Sequence, residues 1–299
     1  MTSQSVRGLR PGQSVETLFL DPAGRLEYAV KLLDDGEMLW MLVERHEADG
    51  LLAWLQRMRF MLRVEPQDLT DRFAVVGTMA DLSLPAAAPH GVPLVWIDPW
   101  SEVTEGGHQY AVGGHPASDW SWRETIVDRS ALGTIAASHP AAGLLAYEAL
   151  RIAAWRPRAA TETDERSLPH ELDWLRSAVH LSKGCYRGQE TVAKVHNLGH
   201  PPRRLVMLHL DGSESILPRN GDQVSLADAA VGTITSAGLH FELGPIALAL
   251  VKRSTPASAT LTVQASDGPV AAAQQLIVPT DAGAVLDVPR LPRLGAVQR

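Results

Sequence analysis

The eight residues Lys183-Gly184-Cys185-Tyr186-Arg187-Gly188-Gln189-Glu190 hold the only cysteine of a 299-residue chain. Two glycines flank the thiol, and these permit backbone angles and close approaches that other residues resist. Lys183 and Arg187 place positive charge beside Cys185, which favours thiolate over thiol and raises nucleophilicity. Cys185 is therefore a candidate functional thiol, either a redox-sensitive nucleophile or a transient metal ligand. One thiolate cannot meet the four-ligand demand of a cluster, so a stable cluster within one chain is not expected. The competing readings are an inert buried cysteine and a solvated face of cations. Just upstream, Leu168-Pro169-His170-Glu171-Leu172-Asp173-Trp174-Leu175 reads as the start of an amphipathic helix that delivers the cysteine to a turn.

Other chemistry is thinner. Eleven histidines invite a metal reading, but Gly199 and Pro201 argue against a continuous helix carrying both His196 and His200. His108 and His115 lie among glycines without a paired ligand motif, so no dedicated metal site is expected. A Cys185–His196 dyad would need an orienting third group, and nothing marks one. Gly106-Gly107 and Gly113-Gly114 lack the surroundings of a phosphate loop. Net charge is −7, from 27 basic and 34 acidic residues, which excludes a broad nucleic-acid footprint. A local cluster of Lys183, Arg187, Lys194, Arg203 and Arg204 could still hold a small anion. The eight tryptophans read mainly as core or interface anchors, with one available to stack on a flat heterocycle.

These residues need a scaffold. No apolar run approaches the roughly eighteen residues of a membrane span, the start lacks a signal peptide, and a single cysteine fits a reducing compartment, so the expected location is cytoplasmic. Leu18–Leu20 and Glu27–Leu33 flank Asp21-Pro22-Ala23-Gly24-Arg25, the pattern of a hairpin. Further strands are expected at 38–43, 73–77, 94–97 and 110–112, with helices over 48–60 and 141–155. The tract 156–167 reads as a polar loop. Beyond Pro202, short strands at 205–210, 223–226, 231–235, 246–251 and 261–263 predict a small all-β barrel or sandwich. The chain thus reads as α+β followed by all-β.

The octet resembles the K-G-C-Y-x-G-Q-E signature of the YgfZ family, folate-binding relatives of the glycine-cleavage T-protein that support iron–sulfur enzymes. The flanking residues 191–197 and 201–204 are similar to the actinobacterial branch. The resemblance implies a T-protein-like fold, with ferredoxin-like α+β modules around a central cleft and a C-terminal all-β barrel. It divides the chain into a folate-binding region over 1–200, a barrel over 201–280 and a loose tail over 281–299. Met1 to Gly12 is similar to the tail of a segment that usually follows a further strand and helix. The first module is accordingly expected to be shortened, leaving an unpaired strand edge.

The implied function is a tetrahydrofolate-binding accessory protein, taking the cofactor or a one-carbon derivative. It would support assembly, maintenance or repair of clusters in client enzymes, such as radical enzymes that modify tRNA, with no direct nucleic-acid or membrane partner. Cys185 would be the functional thiol, ligating or passing on an iron–sulfur species transiently, and Lys183 would contact the folate glutamate tail or tune Cys185. Tyr186 would stack on a ring, Arg187 add positive charge, and Gln189 and Glu190 offer a donor–acceptor edge to a pterin. For Lys183 a structural pairing is an equal alternative, for Tyr186 simple packing, and for Gln189 and Glu190 turn capping. T-proteins use an aspartate after a G-G-I-x-D-D-like hairpin. The matching stretch here is Gly24 to Ala29, where Tyr28 and Ala29 stand at the acidic positions and only Glu27 remains nearby. That departure weighs against the alternative of an aminomethyltransferase-like one-carbon transferase. A thiol redox sensor that binds no folate is the second alternative.

Overall fold

In the computed structural model, which describes residues 1–286, β1 (Ser14–Leu20) and β2 (Leu26–Asp34) form the expected antiparallel hairpin, and β3 (Leu39–Leu42) adds to the outer edge of β2. Side chains alternate along β2. Tyr28, Val30 and Leu32 pack with Phe19 and with Leu51 and Trp54 of helix α1 (Ala48–Met58). Ala29 and Lys31 lie on the opposite face and line a cleft. The edge of β1 expected to stand open is covered instead by Thr2 and Ser3: Thr2 bridges Phe19, and the Ser3 amide donates to the Leu18 carbonyl at 3.1 Å.

A second antiparallel sheet has the order β4 (Phe73–Thr78), β6 (Arg123–Asp128), β5 (Val95–Ile97). The Trp96 indole donates to the Val15 carbonyl at 2.9 Å, tying this sheet to the first. Between the sheets and the C-terminal region lie α2 (Leu132–Ser138), α3 (Leu144–Ala153), the single turn α4 (Ala159–Glu162) and α5 (Gln189–Leu198).

Strands β7 (Arg203–Leu210), β8 (Gln223–Leu226), β9 (Ala229–His240), β10 (Gly244–Lys252), β11 (Leu261–Ala265) and β12 (Gly268–Leu276) close into a barrel in the order β10-β7-β12-β11-β8-β9. Closure removes the free edges that an open sheet would expose. Both faces of β7 and β10 are buried. Val206, Leu208, Ala247 and Ala249 fill the barrel core. Leu205, Met207, Ile246 and Leu248 join the central core with Trp100, Ile152, Trp174 and Val192. Arg203 fixes the same junction, holding Asp164 at 2.6 Å and Glu171 at 2.8 Å.

Several expectations change. Residues 110–112 are not a strand, because side chains satisfy this backbone: the Tyr110 amide donates to Asp173 Oδ1 at 2.7 Å and the Gln109 side chain to the Ala111 carbonyl at 2.9 Å. Residues 168–175 are not an amphipathic helix. They form two short 3-10 turns, Pro169–Leu172 and Trp174–Arg176, broken by Asp173 in the left-handed region at φ 54°. Seven of these eight side chains are buried, so no solvent face exists to shape a long helix. Of the expected loose tail, residues 281–286 are pinned to the end of α5. The amides of Val285 and Leu286 donate to the carbonyls of His196 and Asn197, and Ala282 is buried. Residues 287–299 lie outside the described residues. No helix of the described residues is long and apolar enough to cross a membrane.

Two buried histidines set an acid limit on this fold. His170 accepts no solvent, and its Nε2 meets the Val192 carbonyl at 3.0 Å. Burial pushes its imidazole down to about 4. Burial, with the neighbouring His108, also pushes His196 down to about 4. An unfolded histidine titrates near ~6.5, so between that pH and about 4 the unfolded chain takes protons that the folded chain refuses. Their contribution to stability is complete above the unfolded pKa and is lost as pH falls through this window. Urea unfolding midpoints should drop steadily from pH 7 to 4.5, and His170→Gln should flatten that slope. A midpoint independent of pH across the range would contradict the assignment.

Candidate functional site

A solvent-open cleft runs between the first sheet and the segment that follows α3. At its base Arg156 is buried together with both of its carboxylate partners. The guanidinium donates to Glu16 on β1 at 2.6 and 3.1 Å, and to Asp98, at the end of β5, at 2.9 Å. Asp98 also accepts the Trp120 indole at 2.8 Å, and Glu16 accepts the Ser177 hydroxyl at 2.8 Å. Burial disfavours the charge on Arg156, but Asp98 and Glu16 outweigh it and raise its pKa. Two residues on, Arg158 forks onto Glu44 at 2.5 and 2.6 Å. Lys31 meets Glu124 at 2.5 Å.

The fourth cleft carboxylate is different. Glu47, at the start of α1, accepts only the Glu44 amide at 3.2 Å, and among the described residues no cation pairs with it. Burial raises its pKa.

Aromatic rings supply the apolar part of the wall. Trp122 and Tyr147 stand 4.5 Å apart between centroids, and Trp120 stacks behind Trp122 at 6.0 Å. Trp174 is 1% exposed, and its indole N–H has no hydrogen-bond partner among the described residues. Flat rings, one orphaned donor and a free carboxylate match a planar heterocycle with polar edges.

The cysteine octet lies elsewhere: among the described residues, none of its side chains lines this cleft. Lys183 donates to the carbonyls of Thr2 at 2.6 Å and Gln4 at 2.8 Å, and sits 5.5 Å from the Tyr186 ring. Tyr186 packs in the central core. Arg187 pairs with Glu27 at 2.8 Å, so its charge is directed at the β1–β2 hairpin rather than at Cys185. Gln189 reaches the Lys183 carbonyl at 3.5 Å, and Glu190 is an exposed residue in the first turn of α5. Cys185 itself is exposed.

Gly188 explains why the octet is so constrained. Its φ is +82°, and a Cβ there would meet the Asp21 carbonyl oxygen at 2.6 Å and Gly24 Cα at 2.8 Å. Hairpin and helix start therefore touch backbone to backbone, which only glycine allows. Gly184 has open space around it.

At the hairpin positions expected to be acidic, Ala29 lines the cleft while Tyr28 packs toward α1. Glu27 is held by Arg187. His108 and His196 meet edge to face with ring centroids 4.6 Å apart, beside Tyr110. His196 accepts or donates to the Tyr110 hydroxyl at 3.0 Å, whereas His200 faces the Ala282 carbonyl at 2.9 Å. Among the described residues no three His, Cys, Asp or Glu side chains converge on a metal-sized site. Sequence reasoning missed Glu16, Asp98, Arg156 and Arg158. A charged residue inside the apolar strand Ser-Val-Glu-Thr-Leu-Phe-Leu was the available signal for the first.

Residues 203–278 match the family model of the glycine cleavage T-protein C-terminal barrel domain. Over 274 aligned residues, 82% of this chain, the sequence is 25% identical to a chloroplastic protein of Arabidopsis thaliana that carries a transferase name. The chain spans 59% of the length of that relative. Among solved structures, the glycine cleavage system aminomethyltransferase T from Bartonella henselae aligns with a TM-score of 0.69 at 16% identity, covering 93% of this chain and 79% of that one. The fold is T-protein-like, α+β with a closed six-stranded C-terminal barrel.

Arg156→Ala should destabilise the protein by about 3–5 kcal/mol, because it strands two buried carboxylates. Gly188→Ala should cost about 1–2 kcal/mol in backbone strain and about 1–3 kcal/mol in overpacking, while Gly184→Ala is nearly neutral. Denaturant titrations of the three variants check both statements; equal midpoints for the two glycine variants would refute the close-approach argument.

Proposed function

We propose that this chain binds tetrahydrofolate, or a one-carbon derivative, in the cleft and acts as an accessory protein that supports iron–sulfur enzymes. The observation that carries the reading is the Trp122–Tyr147 pair beside an orphaned Trp174 donor, within a T-protein-like fold. The residues suit the ligand: the half-buried outer face of the Trp122–Tyr147 pair can stack against a planar pteridine, and the Trp174 indole offers a donor to its polar edge. Bound tetrahydrofolate supplies a carrier for one-carbon units. Trp122 and Tyr147 orient it, and the paired Arg158–Glu44 and Lys31–Glu124 keep the surrounding wall rigid.

Ala29 at the cleft wall supports an accessory role over aminomethyl transfer, since that position holds no carboxylate to stabilise a developing cation. The YgfZ-like octet supports a separate thiol function. Cys185 is exposed and free, so it can meet a client enzyme's cluster or a partner thiol, with Lys183 and Arg187 positioning its loop. Residues 1–200 would then form the folate-binding region and 201–280 the barrel that packs against it.

Calorimetric titration tests this. Wild type should bind tetrahydrofolate in the micromolar range, and Trp122→Ala should weaken binding about tenfold or more, the scale of one aromatic stacking contact. Cys185→Ala should bind normally yet fail to restore iron–sulfur enzyme activity in cells lacking the protein. Production of methylene-tetrahydrofolate from an added amine would favour the transferase reading instead. Thiol-dependent function without folate binding would favour a redox sensor.

A further inference from the structure

The cleft is lined by the carboxylates Glu16, Glu44, Glu47 and Asp98 and by the cations Lys31, Arg156 and Arg158. Each cation is already committed: Arg156 to Glu16 and Asp98, Arg158 to Glu44, and Lys31 to Glu124. The uncommitted charge in the cleft is therefore negative and belongs to Glu47. Its Oε2 accepts one backbone amide, from Glu44. A carboxylate has about four acceptor sites, so both oxygens can still accept. The wall thus asks its ligand for donors, and the parallel requirement from Trp122 and Tyr147 is a flat ring.

We infer that Glu47 selects the ligand of the cleft, accepting paired N–H donors from the edge of a flat heteroaromatic ring such as a 2-amino-4-oxopteridine. The inference rests on the folate reading above and assigns its specificity to one side chain. Paired N–H donors onto one carboxylate make a charge-assisted, bidentate contact. A site built around such a contact rejects analogues that lack the donors. The desolvated setting of Glu47 is consistent with a group whose partner arrives with the ligand. Burial raises its pKa, the Glu44 amide opposes, the Glu44 charge adds to the rise, and His46 and Lys31 oppose it.

Glu47→Gln keeps an oxygen for the Glu44 amide, so its unfolding midpoint should match that of wild type. By calorimetry, Glu47→Gln should lose tenfold or more in affinity for tetrahydrofolate. An analogue lacking the 2-amino group should bind both proteins with the same reduced affinity. Wild-type affinity should also weaken more steeply on acidification than that of the variant, a difference that a purely structural glutamate would not give. Wild-type affinity in Glu47→Gln, with binding lost in Trp122→Ala, would overturn the role of Glu47 and leave the folate cleft standing. A wild-type protein that binds no tetrahydrofolate would overturn both.

Discussion

The buried contact of Arg156 with Glu16 and Asp98 is the constraint on which the cleft depends. It joins β1, the end of β5 and the segment after α3, three parts of the chain that no hydrogen-bonded sheet connects. Removing three charges from water is costly, and their attraction compensates only when geometry and surrounding hydrogen bonds are complete. Here the Trp120 indole, the Trp100 amide and the Ser177 hydroxyl supply those bonds. A network so fully satisfied has one arrangement. The cleft wall therefore keeps its shape whether or not a ligand is present, and Arg158, only two residues away, is delivered to Glu44 by the same anchoring.

The cysteine octet is built on the opposite logic. Half of its residues are occupied in holding the loop: Lys183 on the N-terminal carbonyls, Tyr186 in the core, Arg187 on Glu27, and the Gly188 backbone against the hairpin turn. The first hairpin, the N-terminal residues and the start of α5 are thereby clamped together. What the clamp leaves outside is Cys185, with Gly184 and Glu190. An exposed thiol outside the cleft suits encounters with a second macromolecule better than chemistry on a ligand resting against Trp122 and Tyr147.

The hairpin, α1, α3 and most barrel strands were legible because apolar periodicity and turn residues agree in them. Elsewhere the physics was non-local. Strand β6 is central to its sheet yet begins Arg-Glu-Thr, and Glu124 is tolerated there because Lys31 and Trp122 reach it from outside the strand. Strand β12 is rich in alanine and glutamine, with weak strand preference, and it forms because the barrel needs a partner between β7 and β11. The segment 168–175 carries a helix-like sequence but is buried nearly all round. Its carboxylates are consumed by tertiary partners, Glu171 by Arg203 and Asp173 by the Tyr110 amide. For the site, the octet drew attention to residues that hold the fold, while the cleft's charged residues sat in strands and loops that gave no motif.

The alternation of β2 decides what the altered hairpin means. Tyr28 faces α1, so the residue type there bears on packing and leaves the cleft untouched. Ala29 and Lys31 face the cleft, and Glu27 shares their side of the strand by period-two alternation. Glu27 is one strand repeat nearer the turn, about 7 Å away, and already paired to Arg187. It cannot stand in for a carboxylate at position 29 without breaking that pair. The negative charge that remains available in the cleft belongs to Glu47, at the start of α1. A charge placed there can meet the edge of a ring stacked on the Trp122–Tyr147 pair. Support for a cation developing beside Ala29 would have to come from a group the wall does not provide at that position. The geometry thus separates recognition of a ligand from transfer chemistry upon it.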